Sequence, residues 1–144
     1  MIRKMLCNLF LLCMFTMLAA GCSRSYVDRS AFENLAGDYP VVETEAVGGW
    51  WHLYIGKSDD IPCYFSIYDA GAGNPGVSGE IISLDDTSLS IRIDQDMFEN
   101  LPAEWTLTGD NAFLTLEYTC EGNLLTLTNN HLPVVFEKET APAE

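Results

Sequence analysis

The sequence is poor in basic residues, and that shortage excludes two classes of partner. It contains 7 Lys and Arg against 21 Asp and Glu, a formal net charge of −14. Nucleic acids and anionic lipid headgroups are bound mainly through Lys and Arg, so a surface this acidic repels both. We therefore expect no nucleic-acid partner and no charge-driven adsorption to a membrane. A basic protein partner is compatible with the acidity, although a solvated charged surface is the commoner reason for it.

Groups that catalyse reactions or bind metals are also scarce. The two histidines are His52 and His131, and neither belongs to a recognisable catalytic motif. A nucleophilic Ser or Cys needs a base within hydrogen-bonding distance, and zinc needs a cluster of Cys and His. The acidic stretch 94–96 lacks the glycine and the final glutamate of a calcium loop. We therefore predict a protein that binds rather than catalyses, with no metal ion and no cofactor.

A third absence is a hydrophobic run long enough to span a membrane. The apolar run at residues 5–17 is shorter than the ~20 residues that a transmembrane helix needs. Arg3 and Lys4 precede it, and the small residues Ala-Ala-Gly lead from it to Cys22. This arrangement resembles the signal of a bacterial lipoprotein, a secretory segment that ends in a lipobox. A plain transmembrane anchor is the alternative.

The lipoprotein resemblance implies where the mature protein begins and where it resides. Residues 1–21 would be the signal peptide, and Cys22 would carry acyl chains that attach the protein to a membrane of the cell envelope. Because Ser23 rather than aspartate follows Cys22, the same resemblance implies the outer membrane if the organism has one. Residues 22–29 then form a tether, 30–138 one domain and 139–144 a disordered tail.

Removal of the signal also changes the number of cysteines that are left to form a disulfide. With Cys22 acylated, Cys63 and Cys120 are the remaining thiols of an exported protein, where disulfides persist. Each is expected on the apolar face of its strand, so we predict a bridge between them. Two separately buried free thiols are the alternative.

Apolar and polar residues alternate with a period of two over most of the domain, which predicts β-strands. Trp51, Leu53 and Ile55 share one face and are predicted to lie in the core. Trp50, His52 and Tyr54 share the other face and are candidate ligand contacts. The predicted strands are Gly49–Gly56, Ile61–Tyr68, Val77–Leu84, Ser88–Asp94, Glu104–Thr108, Asn111–Cys120, Asn123–Thr128 and Pro133–Lys138.

Short turns between successive strands favour an all-β, antiparallel meander. Eight strands that must hide their edges close most simply into a barrel, and a β-sandwich is the alternative. Ahead of the strands, Ser30 and Glu33 have the spacing of a capping box and predict a short helix that ends at Gly37. Residues 37–40 are predicted to turn the chain.

Residues 49–53 read Gly-Trp-Trp-His-Leu, which resembles the opening strand of lipocalins and lipocalin-like barrels. The closing segment, 134–138, ends in an aromatic residue, any residue and a base, as in that family. The resemblance implies that Lys138 packs over Trp51 in the core and that the barrel binds a small apolar ligand. A filled structural barrel that binds nothing is the alternative.

Residues 118–124 read Tyr-Thr-Cys-Glu-Gly-Asn-Leu, which is similar to the first hairpin of membrane-bound lysozyme inhibitors. That second resemblance implies a different function, inhibition of a basic envelope-active enzyme such as lysozyme. An acidic protein is electrostatically suited to such a partner.

Overall fold

A computed structural model describes residues 26–42, 51–71, 74–94, 101, 105–110 and 112–140. The predicted signal peptide, the predicted acylation site Cys22 and the candidate residue Trp50 lie outside the described residues. The described elements are helix α1 (Arg29–Leu35) and strands β1 (Gly37–Pro40), β2 (Trp51–Gly56), β3 (Tyr64–Asp69), β4 (Asn74–Leu84), β5 (Ser88–Ile93), β6 (Phe113–Glu121), β7 (Leu124–Asn129) and β8 (Leu132–Glu137). Among these residues, no helix has the length and apolarity to cross a membrane.

The eight strands form one antiparallel sheet in sequence order, each paired with the next. The sheet curls until its first and last strands meet. At this seam the Val42 amide donates to the Val135 carbonyl at 2.8 Å, and the Glu139 amide donates to the Asp38 carbonyl at 2.9 Å. The predicted eight-stranded meander is therefore confirmed as a nearly closed barrel rather than a sandwich.

The inward side chains fill the barrel. In β5, Leu89, Ile91 and Ile93 are buried while Ser88, Ser90 and Arg92 face outward, as the alternation predicts. The buried apolar side chains of the other strands belong to the same core cluster. Its largest fully buried members include Leu53, Ile55, Phe65, Ile67, Ile81, Leu84, Leu89, Ile91, Leu114, Leu116, Leu125 and Phe136. These large side chains occupy the space that an open ligand calyx would need.

Two of the predicted elements are wrong. One predicted turn is a strand and one predicted strand is not, so the number of strands is still eight. Residues 37–40, predicted as a turn, form β1 and pair with β2. The predicted strand Glu104–Thr108 is described from residue 105 onward, and within 105–108 only Thr108 forms a bridge, an isolated one with Phe113. Trp105 of this segment instead enters the core, where it is 3% exposed, and its indole Nε1 donates to the Leu132 carbonyl at 2.8 Å.

Helix α1 packs against one end of the barrel, which we call the α1 end; β1 begins there and β8 ends there. The helix is capped by Asp28, whose Oδ1 accepts from the Ala31 amide at 2.9 Å, rather than by Ser30 as predicted. Glu33 pairs with Arg29 on the exposed side. Phe32 and Leu35 are buried in the core cluster. Trp105 lies at the opposite end, which we call the Trp105 end.

Candidate functional site

A cavity of about 580 Å³ lies beside α1, between the helix and the connection from β2 to β3. Its apolar lining comes from Val27, Phe32, Ala36, Pro62 and Cys63. We call it the α1 cavity. It lies outside the barrel core, because its walls are the helix and a hairpin connection rather than the inward faces of the strands.

The mouth of the α1 cavity carries charge. Arg29, Glu33 and Lys57 contribute to its lining. The Arg29 Nε and Glu33 Oε1 atoms lie 2.9 Å apart, and both side chains are largely exposed. An exposed pair of this kind contributes little to stability. The cavity thus combines an apolar wall with a polar mouth, which suits a ligand that is apolar at one end and polar at the other.

Tyr54 positions the hairpin wall of the cavity. Its hydroxyl donates to the Lys57 carbonyl at 3.1 Å, and its ring lies against Gly56, where a Cβ atom would collide with the phenol. A larger residue at position 56 would displace this ring. Tyr54 therefore supports the hairpin wall of the α1 cavity and is not part of the cavity lining.

Cys63 presents a protonated thiol to the cavity at neutral pH. Burial raises the pKa of the half-buried Cys63 thiol, and the Glu80 carboxylate raises this pKa further. The positive charge of Lys57 lowers the same pKa, but by less. The backbone is fixed at this point, because the Ile81 amide donates to the Cys63 carbonyl at 2.8 Å. A neutral thiol behaves as a small apolar group, so Cys63 extends the apolar wall.

The predicted disulfide between Cys63 and Cys120 is not formed, and both cysteines are free. Both lie at the α1 end, because β3 begins there and β6 ends there in the antiparallel meander, but Cys63 lies just before β3 and Cys120 near the end of β6. With β4 and β5 between them, the usual strand spacing separates them by about 14 Å along the sheet. A bridge needs Cα atoms within about 7 Å.

The candidate ligand face of β2 lies on the outside of the barrel. The His52 ring packs 5.6 Å from the Tyr68 ring, and the Tyr54 ring packs 6.3 Å from the Tyr64 ring, centroid to centroid. These four half-buried side chains form what we call the aromatic face. It does not contribute to the α1 cavity, except through the support that Tyr54 gives to the hairpin.

The core side of β2 matches its prediction in part. Leu53 and Ile55 are 0% and 1% exposed, whereas Trp51 is only partly buried against the core. Lys138 does not pack over Trp51, because Trp51 begins β2 at the Trp105 end and Lys138 follows β8 at the α1 end.

Lys138 instead packs over Tyr39. Its Nζ atom lies 5.6 Å from the centre of the Tyr39 ring. Residues 37–39 read Gly-Asp-Tyr, so the Gly-x-aromatic spacing that resembles lipocalins also occurs one strand earlier than in residues 49–51. That repeated spacing is the sequence signal that could have identified Tyr39.

Metal-ligating groups do not cluster in the described part of the chain, where no set of three His, Cys, Asp or Glu residues could hold an ion. His131 is exposed in the turn between β7 and β8. Comparison with protein-family models, curated proteins and solved structures gives no match to this chain.

Proposed function

We propose that this protein is a lipid-anchored envelope protein that binds a small apolar ligand in the α1 cavity and does not catalyse a reaction. The observation that carries the proposal is the contrast between a filled barrel and an apolar-lined cavity of about 580 Å³ beside it. That volume lies within the range of small-molecule sites in proteins. The ligand of this lipocalin-like barrel therefore binds beside the helix rather than inside the strands.

The position of the cavity relative to the anchor supports the proposal. The described chain starts at the α1 end, where the Leu84 amide donates to the Tyr26 carbonyl at 2.9 Å. Only a few residues separate Tyr26 from Cys22, so an extended tether spans no more than about 15 Å. A cavity that opens this close to the acyl chains is suited to receive a ligand from the lipid phase.

Native mass spectrometry of protein extracted from its own envelope tests whether a ligand is retained. Thiol alkylation then tests the place of binding, because Cys63 lines the cavity while exposed Cys120 lies outside it. We expect bound decanoate or anilinonaphthalene sulfonate to slow the alkylation of Cys63 and to leave that of Cys120 unchanged. Equal rates for Cys63 with and without both probes would contradict the proposal.

A pair of matched variants separates loss of the cavity from loss of the fold. Cys63→Phe fills the cavity and should abolish the fluorescence of bound anilinonaphthalene sulfonate, whereas Cys120→Phe should preserve it. Thermal melts of both variants identify any global unfolding. Full fluorescence in a folded Cys63→Phe variant would show that the probe binds elsewhere.

A basic protein partner is the second candidate, and the aromatic face favours it. Tyrosine is enriched in protein interfaces, and the acidic residues Asp38 and Glu80 lie opposite Tyr54 and Tyr64 in the strand register. If lysozyme is such a partner, the protein should slow bacterial lysis by lysozyme, and Tyr64→Ser should weaken that effect. If neither the cavity nor this face binds anything, the filled structural barrel is the remaining function.

A further inference from the structure

A second cavity, of about 310 Å³, opens on the outside of the barrel at the Trp105 end. It lies where residues 106–108 meet side chains of β6, the end of β7 and the following turn, and we call it the hydroxyl cavity. Its lining side chains all carry hydrogen-bonding groups; they include Thr106, Thr108, Thr115, Glu117, Thr128 and His131. Nothing in the proposed function uses them.

The walls of the hydroxyl cavity are fixed by hydrogen bonds of Asn129 and Asn130, which also belong to its lining. Asn129 is 8% exposed; its Oδ1 accepts from the Thr106 amide at 2.8 Å, and its Nδ2 donates to the Thr115 carbonyl at 3.0 Å. The neighbouring Asn130 amide donates to the Thr106 hydroxyl. Together with buried Trp105, these bonds hold residues 105–108 against the sheet. A site held in this way loses little conformational freedom when a ligand binds.

The backbone of His131 lies in the left-handed region. Asn130 and His131 have φ angles of 49° and 65° and form the two-residue turn between β7 and β8. Turns of this kind favour glycine at the second position, because a side chain is disfavoured at positive φ. The histidine nevertheless occupies that position, and it belongs to the lining of the hydroxyl cavity. Strained residues of this kind are found at functional sites.

The chemistry of the lining selects one class of ligand. Neither Lys nor Arg belongs to the lining, and Glu117 would repel an anion. A single carboxylate is too few for a dedicated cation site. The hydroxyls of Thr106, Thr108 and Thr115 each have one partner within the protein. Each keeps a further donor or acceptor site, which an apolar ligand would leave unused. Each hydroxyl of a sugar both donates and accepts, as threonine hydroxyls do.

We infer that the hydroxyl cavity is a carbohydrate-binding site that takes one or two sugar rings. Its volume lies at the small end of the range for ligand sites. The site is separate from the α1 cavity and lies at the opposite end of the barrel from Tyr26. If Cys22 anchors the protein as proposed, the sugar site faces away from the membrane.

A titration of the full-length, isotope-labelled protein in detergent micelles tests the inference by nuclear magnetic resonance. The probes are chitobiose and maltose, with inorganic phosphate as the anionic control. We expect one of the sugars to shift amide signals of residues 106–108, 115–117 and 128–131, and phosphate to leave them unchanged. Absence of such shifts with both sugars, or equal shifts with phosphate, would overturn the inference.

Two threonines of β7 provide a matched pair of variants. Thr128 lines the cavity, while Thr126 is a half-buried neighbour two residues away that does not. Thr128→Val should weaken sugar binding about fivefold through loss of one hydrogen bond, and Thr126→Val should leave it unchanged. Equal affinities for the two variants would overturn the assignment.

His131→Gly separates a binding role from a structural one. Glycine relieves the positive φ, so this variant should melt at the same temperature as the parent or higher, yet bind the sugar more weakly. A lower melting temperature together with unchanged sugar affinity would show that His131 serves the fold alone and would overturn its assignment to the site.

Discussion

The Nζ atom of Lys138 lies 5.6 Å from the centre of the Tyr39 ring and donates a hydrogen bond of 3.2 Å to the Asn34 carbonyl. The Tyr39 hydroxyl donates at 2.6 Å to the Leu35 carbonyl. Two side chains from opposite ends of the domain's sequence thus bind the last carbonyl groups of α1. They connect the helix to both strands of the seam.

Loss of this contact should weaken the domain measurably. We expect Lys138→Met to lower the free energy of unfolding by ~1 to 2 kcal/mol, through the lost cation–π contact and hydrogen bond. Chemical denaturation measures the change, and Lys57→Met, on an exposed hairpin, is the control. In a double-mutant cycle with Tyr39→Leu, a coupling energy of zero would show that the two side chains do not interact.

Tyr39 should also make stability depend on alkaline pH. Burial, together with nearby Cys120, raises the pKa of the Tyr39 phenol from 10.0 to about 12. Above its ordinary pKa the unfolded chain loses this proton while the folded protein retains it, so the folded state is favoured less as pH rises through that window. We expect the free energy of unfolding to fall between about pH 10 and pH 12.

Tyr39→Phe should make that alkaline decline shallower, as measured by urea denaturation at a series of pH values. Tyr26→Phe is the control, because Tyr26 is 65% exposed. The same slope in the parent and in Tyr39→Phe would contradict the assignment.

The tryptophans should differ sharply in their contribution to stability. Trp105 is 3% exposed and hydrogen-bonded, so Trp105→Ala should cost about 3 to 5 kcal/mol. Trp51→Ala should cost less, because Trp51 is only partly buried. From strand parity alone, Trp50→Ala should cost least. Denaturation of the three variants gives the order, and a greater loss at Trp51 than at Trp105 would contradict it.

The two thiols of the mature domain should both react without a reductant. We expect processed protein, extracted from its own envelope and unfolded, to titrate Cys63 and Cys120 as free thiols. In the folded protein Cys120 should react first, because it is exposed while Cys63 is half-buried. Cys120→Ser should remove only the fast phase. Failure of both thiols to react after unfolding would mean that a bridge forms in the cell.

Lipidation stays a prediction from sequence. Cys22→Ala should abolish incorporation of labelled palmitate, because Cys22 is the residue that follows the small-residue cleavage site. Cys13→Ala, within the signal itself, is the matched control and should incorporate label normally. Palmitate on the Cys22→Ala protein would refute the lipoprotein interpretation, and an inner-membrane location would refute the sorting inferred from Ser23.

Strand alternation predicted most of the barrel because one face of each strand is buried. Predicted Ser88–Asp94 and observed Ser88–Ile93 differ by a single residue. β1 escaped prediction because four residues that include a glycine and a proline have no measurable period. A strand was predicted for the segment that contains Trp105, since the sequence alone does not distinguish a tryptophan in a sheet from one that closes the end of the barrel.

Parity assigns a side chain to a face but not to an end of the barrel or to a neighbour. This is why a disulfide was predicted between strands that are not adjacent. The lipocalin resemblance, rather than parity, implied Trp51 as the partner of Lys138, and parity could not correct it to Tyr39. Neither cavity could be predicted, because each arises where segments distant in sequence meet. The α1 cavity needs residues 27–36 beside 56–63, and the hydroxyl cavity needs 106–108 beside 128–131.

The seam between β1 and β8 has a consequence for the order of assembly. A ribosome makes β1 first and β8 last, while every other strand pairs with a neighbour that is made immediately before or after it. Those hairpins can form quickly, since their partners are close in sequence. β1 keeps an unpaired edge until β8 is complete, and such an edge can pair with other chains. Any truncation before residue 132 should therefore leave an aggregating product rather than a smaller barrel.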